Sequence, residues 1–323
     1  MTAEYLADDY DISRSEQDEL ALRSHHKAAK AQADGRFGDE IVPVEVTHRR
    51  KTATIDTDEH VRGDVVIEKL GKLPPVFRPD GGSVHAGNSS GITDGAAALL
   101  MTTESEAKRR GLEPLARLGA SAVAGVSPRV MGIGPVPAVR DLCAKTGRSL
   151  GDFDLIELNE AFAAQVIACD RELGLNHEVL NVNGGAIAMG HPLGATGAMI
   201  LGTVLDELER TNKSTALVTL CIGGGMGIAQ GGTFVWRPSE ADVGDHACGN
   251  AGRTTARHTS RTQSSSSSSS KSTACIQAAG RPDPKPTSSR SMSLYGTLRT
   301  RHTTVPPHIL RGRSLQRRLR CQC

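Results

Sequence analysis

Between residues 114 and 236, apolar runs typical of β-strands alternate with longer segments typical of α-helices. The run FDLIELN (153–159) precedes the helix-like segment EAFAAQVIACDRELG (160–174). The helix-like segment GATGAMILGTVLDELERT (194–211) precedes the buried run TALVTLCIG (215–223). Chains with this alternation form α/β folds in which helices pack on a largely buried sheet. The sequence therefore predicts an α/β fold for this part of the chain.

The first hundred residues carry weaker signals. A helix is predicted near the N-terminus, where Ser13 and Glu16 have the spacing of a capping box. The stretch DEIVPVEV that follows predicts a short strand, and its Pro43 favours an edge position or a bulge. Residues 51–79 show no clear period, so we expect loops and a short helix there. The run GAAALLM (95–101) fits a strand or a helix equally well.

The composition changes abruptly near Trp236. Residues 237–323 carry 15 Lys and Arg against four Asp and Glu, whereas residues 1–236 carry 23 against 32. The tail contains a run of seven serines (264–270) and few large apolar residues. Such a segment buries too little surface to offset its chain entropy. We therefore expect a disordered, basic, Ser- and Arg-rich tail that is functionless, touches acidic partners, or is not native sequence.

Charge and hydropathy argue against several functional classes. The body of the chain is acidic, which does not favour nucleic-acid binding. No run reaches about 18 apolar residues, so no membrane span is expected, and the acidic start MTAEYLADDYD is not a signal peptide. The three cysteines of the body, Cys143, Cys169 and Cys221, lack zinc-site spacing. We therefore expect no metal site and a reducing, cytoplasmic location.

Three polar side chains follow predicted strands. Asn159 comes after FDLIEL, His191 comes after EVLNVNGGAIAM (178–189), and Cys221 comes after TALVTL. Residues just past the carboxyl ends of strands in α/β folds converge on the functional crevice, so these three are expected to meet. Each also has a purely structural alternative. Asn159 could be a helix N-cap, His191 a structural imidazole, and Cys221 a small core side chain.

The segment around His191 is unusually free of charge. NVNGGAIAMGHPLGATGA (181–198) contains no acidic side chain, lysine or arginine. An imidazole in such dry surroundings stays neutral and can activate a thiol. A cysteine paired with an imidazole provides a thiolate and a proton acceptor, and glycine N–H groups can hold an oxyanion. The set suits acyl transfer or enolate formation on a thioester. The run GGGMG does not predict a phosphate loop, because a strand follows it.

The motifs that carry these residues resemble those of the thiolases, which include acetyl-CoA acetyltransferases and 3-ketoacyl-CoA thiolases. The matching stretches are NEAFAAQ from Asn159, NVNGGAIAMGHPLGATGA from Asn181 and CIGGGMGIA from Cys221. RSHHKAAKAQADGRFGDEIVPVEV, AGNSSGITDGAAALL and VMGIGPVPA extend the likeness from Met1 to about Val235. The resemblance implies a thiolase-like layered α-β-α-β-α fold.

The resemblance divides the chain into three parts. Residues 1–110 correspond to a remnant of the N-terminal thiolase domain with its CoA-binding loop region. Residues 111–236 correspond to a complete C-terminal domain, and residues 237–323 are the basic tail. The resemblance also implies a homo-oligomer of lipid metabolism that uses coenzyme A thioesters as substrates and needs no separate cofactor.

The resemblance assigns roles to four residues of the reaction centre. His191 would activate the nucleophile and donate to the thioester oxygen, and Asn159 would hold a water that completes that oxyanion hole. Cys221 would shuttle the proton at the Cα of the enolate partner. The backbone N–H of Gly223 would contribute to a second oxyanion hole.

Four further positions correspond to substrate-binding residues of the family. Ser90, in AGNSSG, matches a residue that bonds the pantetheine arm, and Arg62 matches a basic residue near the nucleotide part of CoA. Phe162 and Met131 match walls of the acyl pocket.

The sequence departs from the family pattern at its N-terminal end. The nucleophilic cysteine of the family lies before the segment that Met1 begins to match, and neither Cys143 nor Cys169 has its context. We therefore expect a truncated N-terminal half and no thiolase turnover by this polypeptide alone. Two alternatives stay open: a non-catalytic CoA-binding or oligomerisation fragment, and a thioester hydrolase with Cys221 as nucleophile. Acyl chain length and reaction direction are not fixed by the sequence.

Overall fold

The computed structural model describes residues 1–49, 51–234 and 274–277, and it has the α/β fold that the sequence predicts. The helices are α1 (Thr2–Asp9), α2 (Arg14–Ala33), α3 (Ile67–Leu70), α4 (Glu104–Arg110), α5 (Pro135–Thr146), α6 (Ala163–Leu173), α7 (Ala186–Met189) and α8 (Thr196–Thr211). The strands are β1 (Val44–His48), β2 (Lys51–Ile55), β3 (Leu100–Thr103), β4 (Ala116–Gly125), β5 (Leu155–Leu158), β6 (Thr215–Ile222), β7 (Met226–Phe234) and β8 (Ala274–Gln277). Short 3-10 helices span Pro128–Ile133 and Leu150–Asp152.

Six strands form the main sheet in the order β3-β8-β4-β7-β6-β5. The pair β5–β6 is parallel and the other pairs are antiparallel. Strands β1 and β2 form a separate hairpin. Because β5 and β6 run in the same direction, their carboxyl ends lie at the same edge of the sheet. That edge carries the polar residues described below.

The sheet is packed by helices on both faces. On one face, Leu142 of α5 and Val166 of α6 share a buried cluster with Ile156 and Leu217 of the sheet. On the other face, Val204 and Leu208 of α8 pack with Leu155 and Val218. Complete burial of a leucine such as Leu208 stabilises the fold by roughly 2 kcal/mol. The three-layer arrangement explains why all four residues of β5 are buried.

The start of α2 and the end of α5 lie where the capping residues of the sequence predict them. The Ser13 hydroxyl accepts a bond from the Glu16 N–H at 3.2 Å, and the Glu16 carboxylate accepts one from the Ser13 N–H at 2.8 Å. This capping box satisfies N–H groups that the first turn of α2 leaves unpaired. Helix α5 ends before Gly147, whose φ of 68° is readily adopted only by glycine.

The prediction of a strand before His191 is wrong. In the segment 178–189 a single bridge joins Leu180 to Ile156 of β5, and the chain then turns into α7. Asn181 has a φ of 45° and Gly184 a φ of 80°, and residues in this left-handed region interrupt an extended strand. The bridge is flanked by two hydrogen bonds, from the Ile156 N–H to the Val179 carbonyl and from the Asn181 N–H to the Ile156 carbonyl.

Three other expectations also need correction. Residues 51–55 form strand β2 where loops were expected, and strand β3 starts only at Leu100, so most of the run 95–101 is neither helix nor strand. Helix α6 begins at Ala163 with Phe162 as its N-cap, so Asn159 does not cap it.

The tail prediction concerns residues that lie mostly outside the described part. Within the tail, Ala274–Gln277 form β8, which pairs with β3 and β4, in contrast to the predicted disorder. Within residues 1–49, 51–234 and 274–277, no helix combines the length and the hydropathy that crossing a bilayer requires.

Candidate active site

Asn159 lies directly after β5 and is almost fully buried. Its backbone N–H donates to the Thr219 carbonyl of β6 at 3.0 Å, which continues the β5–β6 ladder by one residue. Its side chain is 3% exposed. The amide Nδ2 lies 3.4 Å from Nε2 of His191, and Oδ1 is buried without a hydrogen-bond partner in the described part of the chain. The strand end therefore fixes the amide beside the imidazole.

His191 lies in the connection between α7 and α8 and is held from two sides. Its backbone N–H donates to the Gly91 carbonyl at 2.8 Å, which ties this connection to the segment around Ser90. Its ring Nδ1 lies 2.6 Å from Oγ1 of Thr196, the first residue of α8. The preceding Gly190 has a φ of 89°, so a residue with a side chain would strain the backbone here. We refer to Asn159, His191 and Thr196 as the His191 pocket.

The hydrogen bonds around Thr196 define the tautomer of His191. The Thr196 hydroxyl donates to the Pro192 carbonyl at 3.2 Å, so its oxygen accepts from the Nδ1–H of His191. In the neutral ring Nε2 then carries a lone pair, to which the Asn159 amide can donate. Burial lowers the pKa of His191, which favours this neutral form. The pocket thus presents an imidazole nitrogen that can take up a proton.

Cys221 lies near the end of β6, at the same edge of the sheet as Asn159. Leu158 of β5 pairs with Thr219, and Cys221 is two residues further along β6, where it pairs with Gly227 of β7. No hydrogen bond joins its Sγ to Asn159 or His191 among the described residues. Burial raises the pKa of its thiol to about 11. Cys221 is therefore a protonated thiol at neutral pH.

Gly223 lies in the turn between β6 and β7. It is exposed, and the next two residues, Gly224 and Gly225, have φ values of 93° and 98°. The Gly225 carbonyl accepts a bond from the Val126 N–H at 2.7 Å, which fixes the turn against the end of β4. The turn thereby places backbone groups next to Cys221.

Arg62 lines a cleft of about 430 Å³, together with the side chains of His25, His60 and Lys69. The rest of its wall consists of Asp64 and of the apolar residues Val65, Leu70, Leu73, Ala86, Gly87 and Ile187. We refer to it as the Arg62 cleft. Ile187 belongs to α7, so the cleft and the His191 pocket share one short segment of chain.

His60 links the cleft to that shared segment. Its Nδ1 lies 2.7 Å from the Ala188 carbonyl, and since a carbonyl only accepts, Nδ1 carries the proton. His25 is 5% exposed, and its Nδ1 has no hydrogen-bond partner in the described part of the chain. Burial, with smaller contributions from His60 and Arg62, lowers the pKa of His25 to about 4.

The remaining predicted substrate-binding residues are Ser90, Phe162 and Met131, and each lies in a different segment of the chain. The N–H and hydroxyl of Ser90 both donate to the Ala161 carbonyl, at 3.1 and 3.0 Å. Ser90 thus lies beside the Asn159 segment. Phe162 caps α6 and meets Phe77 edge to face, with centroids 6.4 Å apart. Met131 lies in the 3-10 helix Pro128–Ile133, which packs on α1 and α6.

Sequence reasoning missed three residues of the site. Thr196 had a local signal, because it lies in the first turn of the predicted helix, five residues after His191. His60 had none, because its bond to Ala188 joins positions 128 residues apart. Gly91 acts through its carbonyl, which any residue type would supply. Within the described residues, no group of three or more His, Cys, Asp or Glu side chains could hold a metal ion.

Sequence profiles and solved structures give consistent matches. Residues 1–105 match the profile of the thiolase N-terminal domain, and residues 112–231 match that of the thiolase C-terminal domain. The acetyl-CoA acetyltransferase of Paracoccus denitrificans is 52% identical over 228 residues, which is 71% of this chain and 58% of that protein. The beta-ketothiolase of Cupriavidus necator is 53% identical over 229 residues, with the same coverage.

Two solved structures resemble this one over most of its described part. The acetyl-CoA acetyltransferase of Bacillus anthracis matches with a TM-score of 0.70 and 50% identity, over 72% of this chain and 59% of that one. Human mitochondrial 3-ketoacyl-CoA thiolase in complex with CoA matches with a TM-score of 0.66 and 43% identity, over 73% and 58%. The chain thus spans less than two thirds of the length of these relatives.

Proposed function

Because this chain belongs to the thiolase family, we propose that it serves acyl transfer between coenzyme A thioesters. The reaction would be cleavage of a 3-ketoacyl-CoA by CoA, or condensation of two acyl-CoA molecules in reverse. The observation that supports this most directly is the contact of Asn159 with a neutral His191 whose Nε2 can take up a proton. The human relative that was solved with CoA supports coenzyme A as the shared ligand.

Within this proposal His191 works as an acid and base. Its Nε2 takes a proton from the attacking thiol, and the resulting imidazolium then donates to the thioester oxygen. Asn159 contributes its Nδ2 to the same oxyanion site, directly or through a bound water. Thr196 keeps the proton on Nδ1, so that Nε2 is the nitrogen that reacts.

Cys221 would supply and remove the proton at Cα of the enolate partner. A thiol whose pKa is about 11 holds its proton at rest and can deliver it to a carbanion. The same raised pKa argues against the alternative in which Cys221 is the nucleophile of a hydrolase, because nucleophilic cysteines have lowered pKa values. The N–H of Gly223 would stabilise the enolate oxygen next to it.

The substrate would enter from the Arg62 cleft. Arg62 and Lys69 give the cleft positive charge, which suits the phosphate groups of CoA. Ser90 would bond the pantetheine arm on the way to the pocket, and Phe162 and Met131 would border the acyl group. Homo-oligomer formation and a cytoplasmic location remain predictions.

The proposal is tested by two reactions of the purified chain. In the first, acetyl-CoA is incubated in D₂O and deuterium uptake at Cα is followed by mass spectrometry. We expect uptake that is lost in Cys221→Ala, and uptake equal to that of buffer alone would contradict the proposal. In the second, CoA-dependent cleavage of acetoacetyl-CoA is compared with that of His191→Ala. Cleavage above this control would refute the expectation that the polypeptide alone does not turn over.

A further inference from the structure

A small cavity lies behind Asn159, on the side of β5 that faces α7 and α8. Its volume is about 20 Å³, and its polar lining includes Glu157, Asn159, Thr196 and Thr203. The rest of the lining is mostly apolar, but these polar groups reach a space large enough for one water molecule. Thr196 and Thr203 already use their hydroxyl hydrogens, in bonds to the Pro192 carbonyl and to the Glu40 carboxylate. The cavity therefore brings the carboxyl of Glu157 and the amide of Asn159 to one common space.

Glu157 and Asn159 are two residues apart at the end of one strand, so their side chains point to the same face. They are 6% and 3% exposed. Oδ1 of Asn159 is buried without a hydrogen-bond partner in the described part of the chain. The described residues act on the Glu157 carboxyl through burial and charge, with no hydrogen bond among these influences. A buried amide oxygen that lacks a donor costs about 1–3 kcal/mol. Asn159 therefore needs a donor on the cavity side.

Glu160 is a buried glutamate whose carboxylate is supplied with hydrogen-bond donors, and it serves as a comparison for Glu157. It accepts hydrogen bonds from the Ser24 hydroxyl at 2.6 Å, from the Asn181 amide at 3.1 Å and from the Ile187 N–H at 3.3 Å. Glu157 is as deeply buried and has none of these donors. A carboxylate without donors is far more costly than a neutral carboxylic acid in the same place. Glu157 is therefore the buried glutamate that suits the acid form.

The charges around Glu157 agree with that assignment. Burial raises the pKa of its carboxyl well above the usual value, and the neighbouring carboxylates Glu160, Glu40 and Glu207 raise it further. Lys27 acts in the opposite direction, with an influence smaller than those of Glu160 and Glu40 but larger than that of Glu207. A neutral carboxylic acid has one O–H donor, which an ionised carboxylate lacks.

We propose that Glu157 is a positioning residue that acts through Asn159. Its O–H donates to one water molecule in the small cavity, and that water donates to Oδ1 of Asn159. With Oδ1 held on the cavity side, Nδ2 stays turned to Nε2 of His191. Without the donor, the amide can turn over and present its oxygen to the imidazole. The inference deepens the proposed function and rests on it for any effect on rate.

The first test follows the amide itself and needs no turnover. The full chain is labelled with ¹⁵N-asparagine, and the side-chain signal of Asn159 is assigned by Asn159→Asp. In Glu157→Leu, which keeps the volume and removes the donor, we expect this amide to exchange with solvent about tenfold faster. Glu157→Gln keeps a donor and should restore the exchange rate of the unmodified chain. Ile200→Val, which changes an apolar wall of the cavity, is the matched control and should also leave it unchanged.

Two results of this test would overturn the proposal. One is an unchanged Asn159 signal and exchange rate in folded Glu157→Leu. The other is a Glu157→Gln variant that behaves like Glu157→Leu. If Glu157→Leu does not fold, the unmodified chain is labelled with ¹³C-glutamate and the protonation state of Glu157 is read from its NMR signal. The Glu157 carboxyl carbon should resonate as a neutral acid at neutral pH, and a carboxylate signal would refute the assignment.

A rate measurement separates the failure of this inference from the failure of the proposed function. If the unmodified chain exchanges the Cα hydrogens of acetyl-CoA, Glu157→Leu should slow that exchange about tenfold, and Glu157→Gln should restore it. CoA affinity should not change in either variant. If the unmodified chain shows no exchange, the proposed function fails, while the NMR measurements still decide the role of Glu157.

Discussion

The His191 pocket and the Arg62 cleft lie on two sides of the same short helix, α7, yet they are built from different interactions. In the pocket a buried amide, a neutral imidazole and a hydroxyl contact one another through hydrogen bonds of 3.4 and 2.6 Å. The cleft is open, and charged or ionisable side chains share its wall with apolar ones. Fixed neutral groups suit bond making and breaking, whereas exposed charges suit the capture of an anionic ligand. Changes in the pocket should therefore alter rates, and changes in the cleft should alter affinity and pH dependence.

The largest effect is expected from His191→Ala, which removes the imidazole that in the proposed reaction faces the thioester oxygen and so stabilises the enolate formed when Cys221 takes the Cα proton. Cα exchange on acetyl-CoA should fall at least about 100-fold, which corresponds to about 3 kcal/mol. The affinity for CoA, measured by calorimetry, should stay the same. His177→Ala removes an exposed imidazole outside the pocket and is the control. A parallel loss of CoA affinity in His191→Ala would break the distinction between pocket and cleft.

The second largest effect is expected from His25 in the cleft, and it concerns the pH dependence of the free energy of unfolding. His25 has a pKa of about 4 in the fold, below the usual value of 6.5. As the pH falls below 6.5, His25 takes up a proton in the unfolded chain, whereas in the folded chain it stays neutral until about pH 4. The free energy of unfolding therefore decreases between these two pH values. The free energy of unfolding should drop by about 2 kcal/mol between about pH 7 and about pH 5 on account of this group.

His25→Gln should remove that part of the pH dependence in denaturant titrations. His26→Gln, at an exposed neighbour on the same helix, should keep it. Equal slopes for His25→Gln and the unmodified chain would show that the burial of His25 has no such consequence.

Thr196→Val tests whether the Thr196 hydroxyl fixes the tautomer of His191. The change keeps the shape of the side chain and removes the acceptor of the Nδ1–H, so both tautomers of His191 become accessible. We expect Cα exchange to slow about tenfold, or about 1.4 kcal/mol, with CoA affinity unchanged. Thr196→Ser should restore most of the rate, and Thr211→Val at the other end of α8 should not alter it. Failure of the serine variant to rescue would mean that Thr196 acts through packing.

The smallest effect is expected from Arg62→Ala. Loss of one exposed charge should weaken CoA binding about fivefold at low salt, and less at high salt because ions screen the interaction. Arg23→Ala, an exposed arginine of α2 outside the cleft, should leave affinity unchanged. A salt-independent loss in Arg62→Ala would point to a packing role for this side chain.

The sequence predicts the parts of this fold that local chemistry controls. The capping box at Ser13, the apolar faces of α5 and α8 and the buried run of β6 all produce the expected elements. Strand β2 was missed because it lies in an exposed hairpin, where no buried face imposes an alternating pattern. The strand expected at 178–189 failed because Asn181 and Gly184 adopt left-handed conformations that hydrophobicity does not reveal.

The same limit applies to the candidate site. Asn159 and His191 stand out as polar residues in apolar or glycine-rich surroundings, and the fold brings them together. Glu157 looks like one more charged residue in the sequence. Its importance comes from burial, which depends on how α8 packs on β5. His60 is significant only through a backbone carbonyl far along the chain, and no sequence pattern encodes that contact.

The bridge between Leu180 and Ile156 has a consequence beyond the site. Strand β5 is the last strand of the six-stranded sheet, and the backbone at 179–181 satisfies part of its outer edge. An uncovered outer strand is a template on which another chain can add by intermolecular β-pairing. The loop between α6 and α7 therefore also protects the outer edge of the sheet against self-association. Substitutions that loosen this loop should lower solubility as well as activity.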